Sequence, residues 1–128
     1  MKLNIKRILL TAVLIEIVAV LLLVLLVALA GPSDPDGAQA FAQRTGSWFG
    51  PIAGFTLCLI GGWYVARRIT SVQVLSGIVL GLAVAIIDGG LLVASESEFK
   101  MIFVLSNVAK ILSGGLGGWF AGRSAART

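Results

Sequence analysis

The sequence predicts an all-α, polytopic membrane protein: four transmembrane helices arranged as two repeated hairpins, with both termini on the same side. Three observations carry this expectation. The 128-residue chain is 58% hydrophobic and only 12% charged, whereas soluble domains are about 25% charged. Its apolar residues fall into four long runs, each close to the roughly 20 residues that a helix needs to cross a hydrocarbon core. Two of those runs end in nearly the same motif, "GGWYVARR" (61–68) and "GGWFAGRS" (117–124).

The whole chain, 1–128, reads as one transmembrane domain with spans at 8–30, 47–66, 72–94 and 101–122. The first span resembles a signal peptide, with "MKLNIKR" before it and "ALAG" (28–31) at its end. Its apolar run exceeds the ~7–15 residues of a signal core, so it is expected to be a retained helix. Residues 31–46 form the one long connection, an outer loop. Its "PSDPDG" is turn chemistry, because proline fixes φ while Asp and Gly tolerate tight turns. Within it, "AQAFAQR" suits one or two turns of interfacial helix. Pro51 is expected in the first turn of span two, where its missing N–H matters little.

The net charge is +4, and its distribution sets the orientation. Lys2, Lys6 and Arg7 precede span one, Arg67 and Arg68 separate spans two and three, and Arg123 and Arg127 follow span four. The other side holds Arg44 and Lys100 beside Asp34, Asp36, Glu96 and Glu98. The positive-inside rule then puts both termini in the cytoplasm and the chain in the cell (inner) membrane. Basic residues gathered at span ends, and not along one face, argue against nucleic acid as a partner. Trp48 and Phe49 fit the outer interface, and Trp63, Tyr64 and Trp119 the inner one, the depths where amphipathic rings settle.

Small residues recur at four-residue spacing in three spans: Gly50, Gly54, Cys58, Gly62 and Ala66; Gly77, Gly81, Ala85 and Gly89; and Ser106, Gly114, Gly118 and Gly122, with Lys110 in the same stripe. Lipid tails are as apolar as leucine, so helices in a bilayer associate through close van der Waals approach, which small residues permit. These stripes therefore read as packing surfaces, within the chain or toward further copies or other membrane subunits. Span one lacks them. Its "LLLVLLV" (21–27) is bulky all round and suits contact with lipid.

Three ionisable residues fall inside spans: Glu16, Asp88 and Lys110. A charge near the bilayer centre costs roughly 2.5–3.5 kcal/mol on insertion scales, so such residues face the protein interior and pair. At 1.5 Å per residue all three lie within ~5–8 Å of the midplane. Lys110 and Asp88 both lie on small-residue faces, and an antiparallel packing of spans three and four would let them meet. Two carboxyls for one lysine leave a remainder, which is either protonated or in a water-filled cavity or subunit interface.

Other chemistries find little support. There is no histidine and a single cysteine, Cys58, so neither an internal disulfide nor a Cys/His metal cluster can be built. No glycine-rich phosphate loop follows a strand. A serine–base dyad would have only Ser113 near Lys110 to draw on. The expectation is a protein that is not an enzyme and has no cofactor or metal.

The segments "IGGWYVARR" (60–68), "SGIVLG" (76–81) and "SGGLGGWFAG" (113–122) resemble a group of small four-span bacterial and archaeal membrane proteins of unknown function, the YrzE-type proteins. The likeness covers spans two to four. It implies architecture and a cell-membrane location and carries no functional residues.

Two functional readings follow. One is a non-catalytic structural or accessory subunit that self-associates or joins a larger membrane complex. The other is a small proton- or ion-coupled transporter or channel subunit using Glu16, Asp88 and Lys110, which at this size would oligomerise to enclose a pathway. The environment of the charges discriminates: a dry, fully paired site favours the first, a shared cavity the second.

The orientation is testable in intact cells by cysteine accessibility. An impermeant thiol reagent is expected to label Asp36→Cys and to spare Thr128→Cys. Labelling at position 128 would reverse the assignment.

Overall fold

The computed structural model describes residues 3–69, 71–94 and 101–126. They form four helices: α1 (Ile5–Ala30), α2 (Pro35–Ala66), α3 (Gln73–Ala94) and α4 (Met101–Ala126). Three of them, α1, α2 and α3, are long and apolar enough to cross a membrane. Lys2, Glu96, Glu98, Lys100 and Arg127, which enter the orientation argument, lie outside the described residues.

α1 begins at Ile5, three residues before the expected span, because the Asn4 side chain accepts from the Arg7 N–H at 3.1 Å and caps the first turn. The larger correction concerns residues 31–46. They are not a loop: α2 starts at Pro35 and continues without a break to Ala66. Asp34 caps it, accepting from the Gly37 N–H at 2.7 Å, and Pro35 occupies the first turn. Asp followed by Pro is a helix-start pair, since the carboxylate satisfies an orphan N–H and the ring presets φ. At 32 residues the helix is ~48 Å long, well beyond the ~30 Å of a hydrocarbon core. Pro51 consequently lies in the middle of α2 and not in its first turn. α4 also runs on, past Gly122 to Ala126.

The helices alternate in direction. Thr11 and Ile15 of α1 sit beside Gly61 of α2, and the Arg7 guanidinium donates to the Tyr64 carbonyl at 2.9 Å, an antiparallel register. α3 and α4 are antiparallel as well, with Gly77 against Gly114 and Gly81 against Ile111. α2 and α4 run parallel: Gly54 meets Lys110, and the Leu59–Trp63 stretch meets Gly117. α4 lies between α2 and α3 in intimate contact with both. α1 packs on α2 and α3 and, among the described residues, does not approach α4. The two hairpins are therefore packed unequally, and the sequence repeat has no matching repeat in packing. What the two "GGW" segments do share is contact with each other, through Gly62 and Gly117.

Three backbones converge at Gly114. A Cβ on Gly62 of α2 or on Gly77 of α3 would collide with the Gly114 carbonyl, and one on Gly114 would strike the Gly77 carbonyl. One turn on, Gly118 lies against the Gln73 backbone, and Gly117 against the backbone of Leu59 and Trp63. No leucine could reproduce this, because the contact is peptide on peptide. Gly122 has an ordinary van der Waals contact with the Gln73 side chain. Gly50 and Gly89 do not belong to this packing: a Cβ at either would meet nothing within 4 Å. Geometry explains the difference. Twelve residues separate Gly50 from Gly62 and Gly77 from Gly89, which at 3.6 residues per turn is a rotation of ~120°.

Around this node the chain buries Ile8, Ala12 and Ile15 of α1 with Cys58, Val65, Leu80 and Val84. That apolar core fills the half of the bundle nearer the chain termini. The outward faces are apolar too, with Leu10, Leu14, Leu21, Leu25 and Ile86 all exposed.

Alanine at Gly114 or Gly77 is expected to lower thermal stability in detergent by about 1–3 kcal/mol, the usual penalty for overpacking. Alanine at Gly50 or Gly89 is expected to be neutral or mildly stabilising, since alanine outranks glycine in a helix by up to ~1 kcal/mol. Equal losses at all four sites would contradict the node.

Candidate functional site

Lys110 is the most buried charge of the described residues, 8% exposed. Its burial follows from what surrounds it. On the α2 side Gly54 leaves the path of its stem free: a Cβ there would overlap the lysine at Cε. On the α3 side Gly81 lies against the Lys110 carbonyl and the Ile111 backbone. The ammonium is salt-bridged to the Asp88 carboxylate. The two residues are not level in the backbone register, since Gly81 is already opposite Ile111. Helical side chains lean toward their own N-terminus. In an antiparallel pair this brings the lysine of α4 and the aspartate of α3 toward each other and closes the gap.

Glu16 reaches the same place from α1 and borders the same cavity as Asp88 and Lys110. All three charges expected from the sequence are thus brought together, one each from α1, α3 and α4. They line a cavity of about 150 Å³. Its other walls come from the C-terminal half of α1 (Ala19, Val20, Leu23) and from α2 (Phe49, Gly50, Ala53, Gly54). A site needs only ~10–15 Å³ of such volume per water and two to four polar partners, so there is room for several waters or one partly hydrated ion. On the terminal side the buried core of Ile15, Cys58, Leu80 and Val84 closes it off.

Gly50 has a role here that its packing lacks: the empty space beside it is cavity. Ser113 is fully buried, and its hydroxyl donates to the Lys110 carbonyl at 3.0 Å. It is committed to the backbone and not aimed at the amine, so no serine–lysine dyad forms. Cys58 is a buried core residue. Among the described residues no group of three His, Cys, Asp or Glu could hold a metal ion.

Asn107 is a further part-buried polar group on α4. It lies one turn before Lys110, and its amide donates to the Phe103 carbonyl at 3.0 Å. Its Oδ1 is buried and has no hydrogen-bond partner among the described residues. A polar amide three residues before a buried lysine, on the same helical face, is its signal in the sequence.

Comparison with family models, curated proteins and solved structures finds no match in any of the three. The site is therefore read from its own chemistry.

A double-mutant cycle tests the pair. Lys110→Met alone is expected to cost about 3–5 kcal/mol, the usual result of stranding a buried charge. Adding Asp88→Asn should recover part of that loss, and adding Glu16→Gln should recover less. Additive effects of Lys110→Met and Asp88→Asn would mean that the two do not interact.

Proposed function

We propose that the protein is a small proton- or monovalent-cation-handling membrane protein, with Glu16, Asp88 and Lys110 as its ion-binding site and α4 as the fourth span. The observation that carries this reading is the cavity lined by all three charges. A purely structural pair would be dry. Here an ion pair and a third carboxyl border space large enough for water.

The charge count suggests how the site works. Lys110 balances one carboxylate. The second carboxyl is surplus, and a proton on it would let it donate to the other, since ionised carboxylates only accept. The site is neutral with that proton in place. Once the proton leaves, the surplus negative charge in a low-dielectric setting favours its return or its replacement by a small cation. Lys110 can then shift between the two carboxylates without leaving the cavity. The site exchanges one positive charge per cycle, and no bond in a substrate is made or broken.

Access is one-sided, because the cavity lies in the outer half and the core seals the other. Movement of an ion across the membrane requires a second arrangement. α1 is the element best suited to provide it: it contributes Glu16, has no glycine within its own length and, among the described residues, does not approach α4. A tilt of α1 would separate Glu16 from Asp88 while leaving the glycine-packed core of α2, α3 and α4 intact.

The structural reading keeps one observation in its favour, the backbone packing at Gly114, which makes a rigid scaffold whether or not ions move. Proteoliposomes separate the two. With an imposed membrane potential, wild-type vesicles should take up protons or sodium, read by an interior dye for each. Glu16→Gln should abolish uptake while folding normally. Uptake no greater than that of empty vesicles, or unchanged in Glu16→Gln, would overturn the ion-handling reading in favour of the scaffold.

A further inference from the structure

A second concavity lies on the other side of α1, toward the end that carries the termini. It is a groove of about 530 Å³ between α1 and α2, within the usual size range of ligand sites. Its length is apolar, formed by Leu10, Leu14 and Val18 of α1 and Leu57 and Ile60 of α2. Its mouth is polar and basic, with Lys6 and Arg7. From Asn4 to Val18 it extends ~21 Å along α1, enough for the ~15 Å depth of one leaflet.

The mouth is built around arginine on aromatic rings. The Arg7 guanidinium carbon sits 4.4 Å from the centroid of the Tyr64 ring, and that of Arg67 is 5.2 Å from the same ring and 5.2 Å from Trp63. The Arg7 guanidinium donates to the Tyr64 carbonyl, while its Nε is buried with no partner among the described residues. A buried donor without an acceptor is costly. No acid is near enough in sequence to supply one: residues 1–15, 60–76 and 113–128 contain no Asp or Glu.

We propose that this groove binds an anionic phospholipid, its headgroup phosphate held by Lys6 and Arg7 with Arg67 beside them and one acyl chain laid between α1 and α2. The bilayer settles what covers the apolar part, since acyl chains are what surrounds it there. The uncompensated positive charge selects the headgroup, since phosphate oxygens accept charge-assisted hydrogen bonds from lysine and arginine. Each basic residue near a membrane surface favours an anionic lipid by about fivefold. The site shares only Ile15 with the ion cavity, and it stands whether or not that cavity conducts.

Trp63 lines the groove and serves as the probe. In single-tryptophan variants (Trp48→Phe with Trp119→Phe to keep Trp63; Trp48→Phe with Trp63→Phe to keep Trp119), quenching is read in vesicles. The vesicles contain a minor fraction of either brominated phosphatidylglycerol or brominated phosphatidylcholine. Trp63 should prefer the anionic lipid by fivefold or more, on the order of one basic contact or several. Trp119 lies beside Arg123 on another face and should show a weaker preference. Lys6→Gln, at an exposed position, should reduce the Trp63 preference about fivefold, and Arg67→Gln should reduce it in the same direction. Equal quenching of Trp63 by the two lipids would overturn the proposal. So would an equal preference at Trp119, which would indicate a general charge atmosphere, or a preference unchanged in both variants.

Discussion

The fold depends on peptide groups of three helices meeting at Gly114, where Gly62 and Gly77 approach its carbonyl. In a bilayer there is no hydrophobic gain from hiding leucine, so affinity between helices must come from contact density. Dropping the side chains of three glycines brings backbones into direct van der Waals range, and the contact continues through Gly81, Gly117 and Gly118. Everything else is arranged by that choice. α4, which is amply supplied with glycine, becomes the central helix, and α1, which has none before its last residue's cap, is left to the periphery.

The same constraint makes the charged site possible. A lysine stem needs a corridor, and Gly54 leaves it. Its partner must come from a helix close enough to reach, and Gly81 sets that distance on α3. Small residues thus act twice, first as packing and then as clearance. Beyond the node the helices present bulk again, and Gly50 no longer faces a neighbour. The space left there becomes the cavity that Glu16 completes.

Much of this was legible in the residues. The four helices follow from run lengths, and the contacts of Gly62, Gly77, Gly81, Gly114 and Gly118 follow from spacing. The meeting of Asp88 with Lys110 follows from shared small faces and an antiparallel hairpin. The rest was hidden for identifiable reasons. A four-residue repeat drifts ~40° per step, so a stripe stays on one interface for only two or three members, which misplaced Gly50 and Gly89. The start of α2 was obscured because Asp-Pro-Asp-Gly serves turns and helix caps equally well. Glu16 could be assigned to the interior but not to Asp88, because nothing on bulky α1 announces its rotational setting. Cavities are the hardest to foresee, being defined by side chains that are missing.

The contrast between α1 and the other three helices carries the last step. Helices joined backbone to backbone have little freedom to slide, since any rotation drives a Cα or a carbonyl into its neighbour. A helix held through side chains, here Ile8, Thr11, Ala12 and Ile15, can shift by small adjustments at low cost, because lipid and protein contacts are nearly equivalent to it. Two of the three charges at the site, Asp88 and Lys110, lie on the glycine-packed part and the third, Glu16, on α1. That division gives a fixed ion pair against which a single carboxyl can approach or withdraw. On the proposed ion-handling reading, this difference in how the helices are packed would supply a two-state element without a hinge sequence.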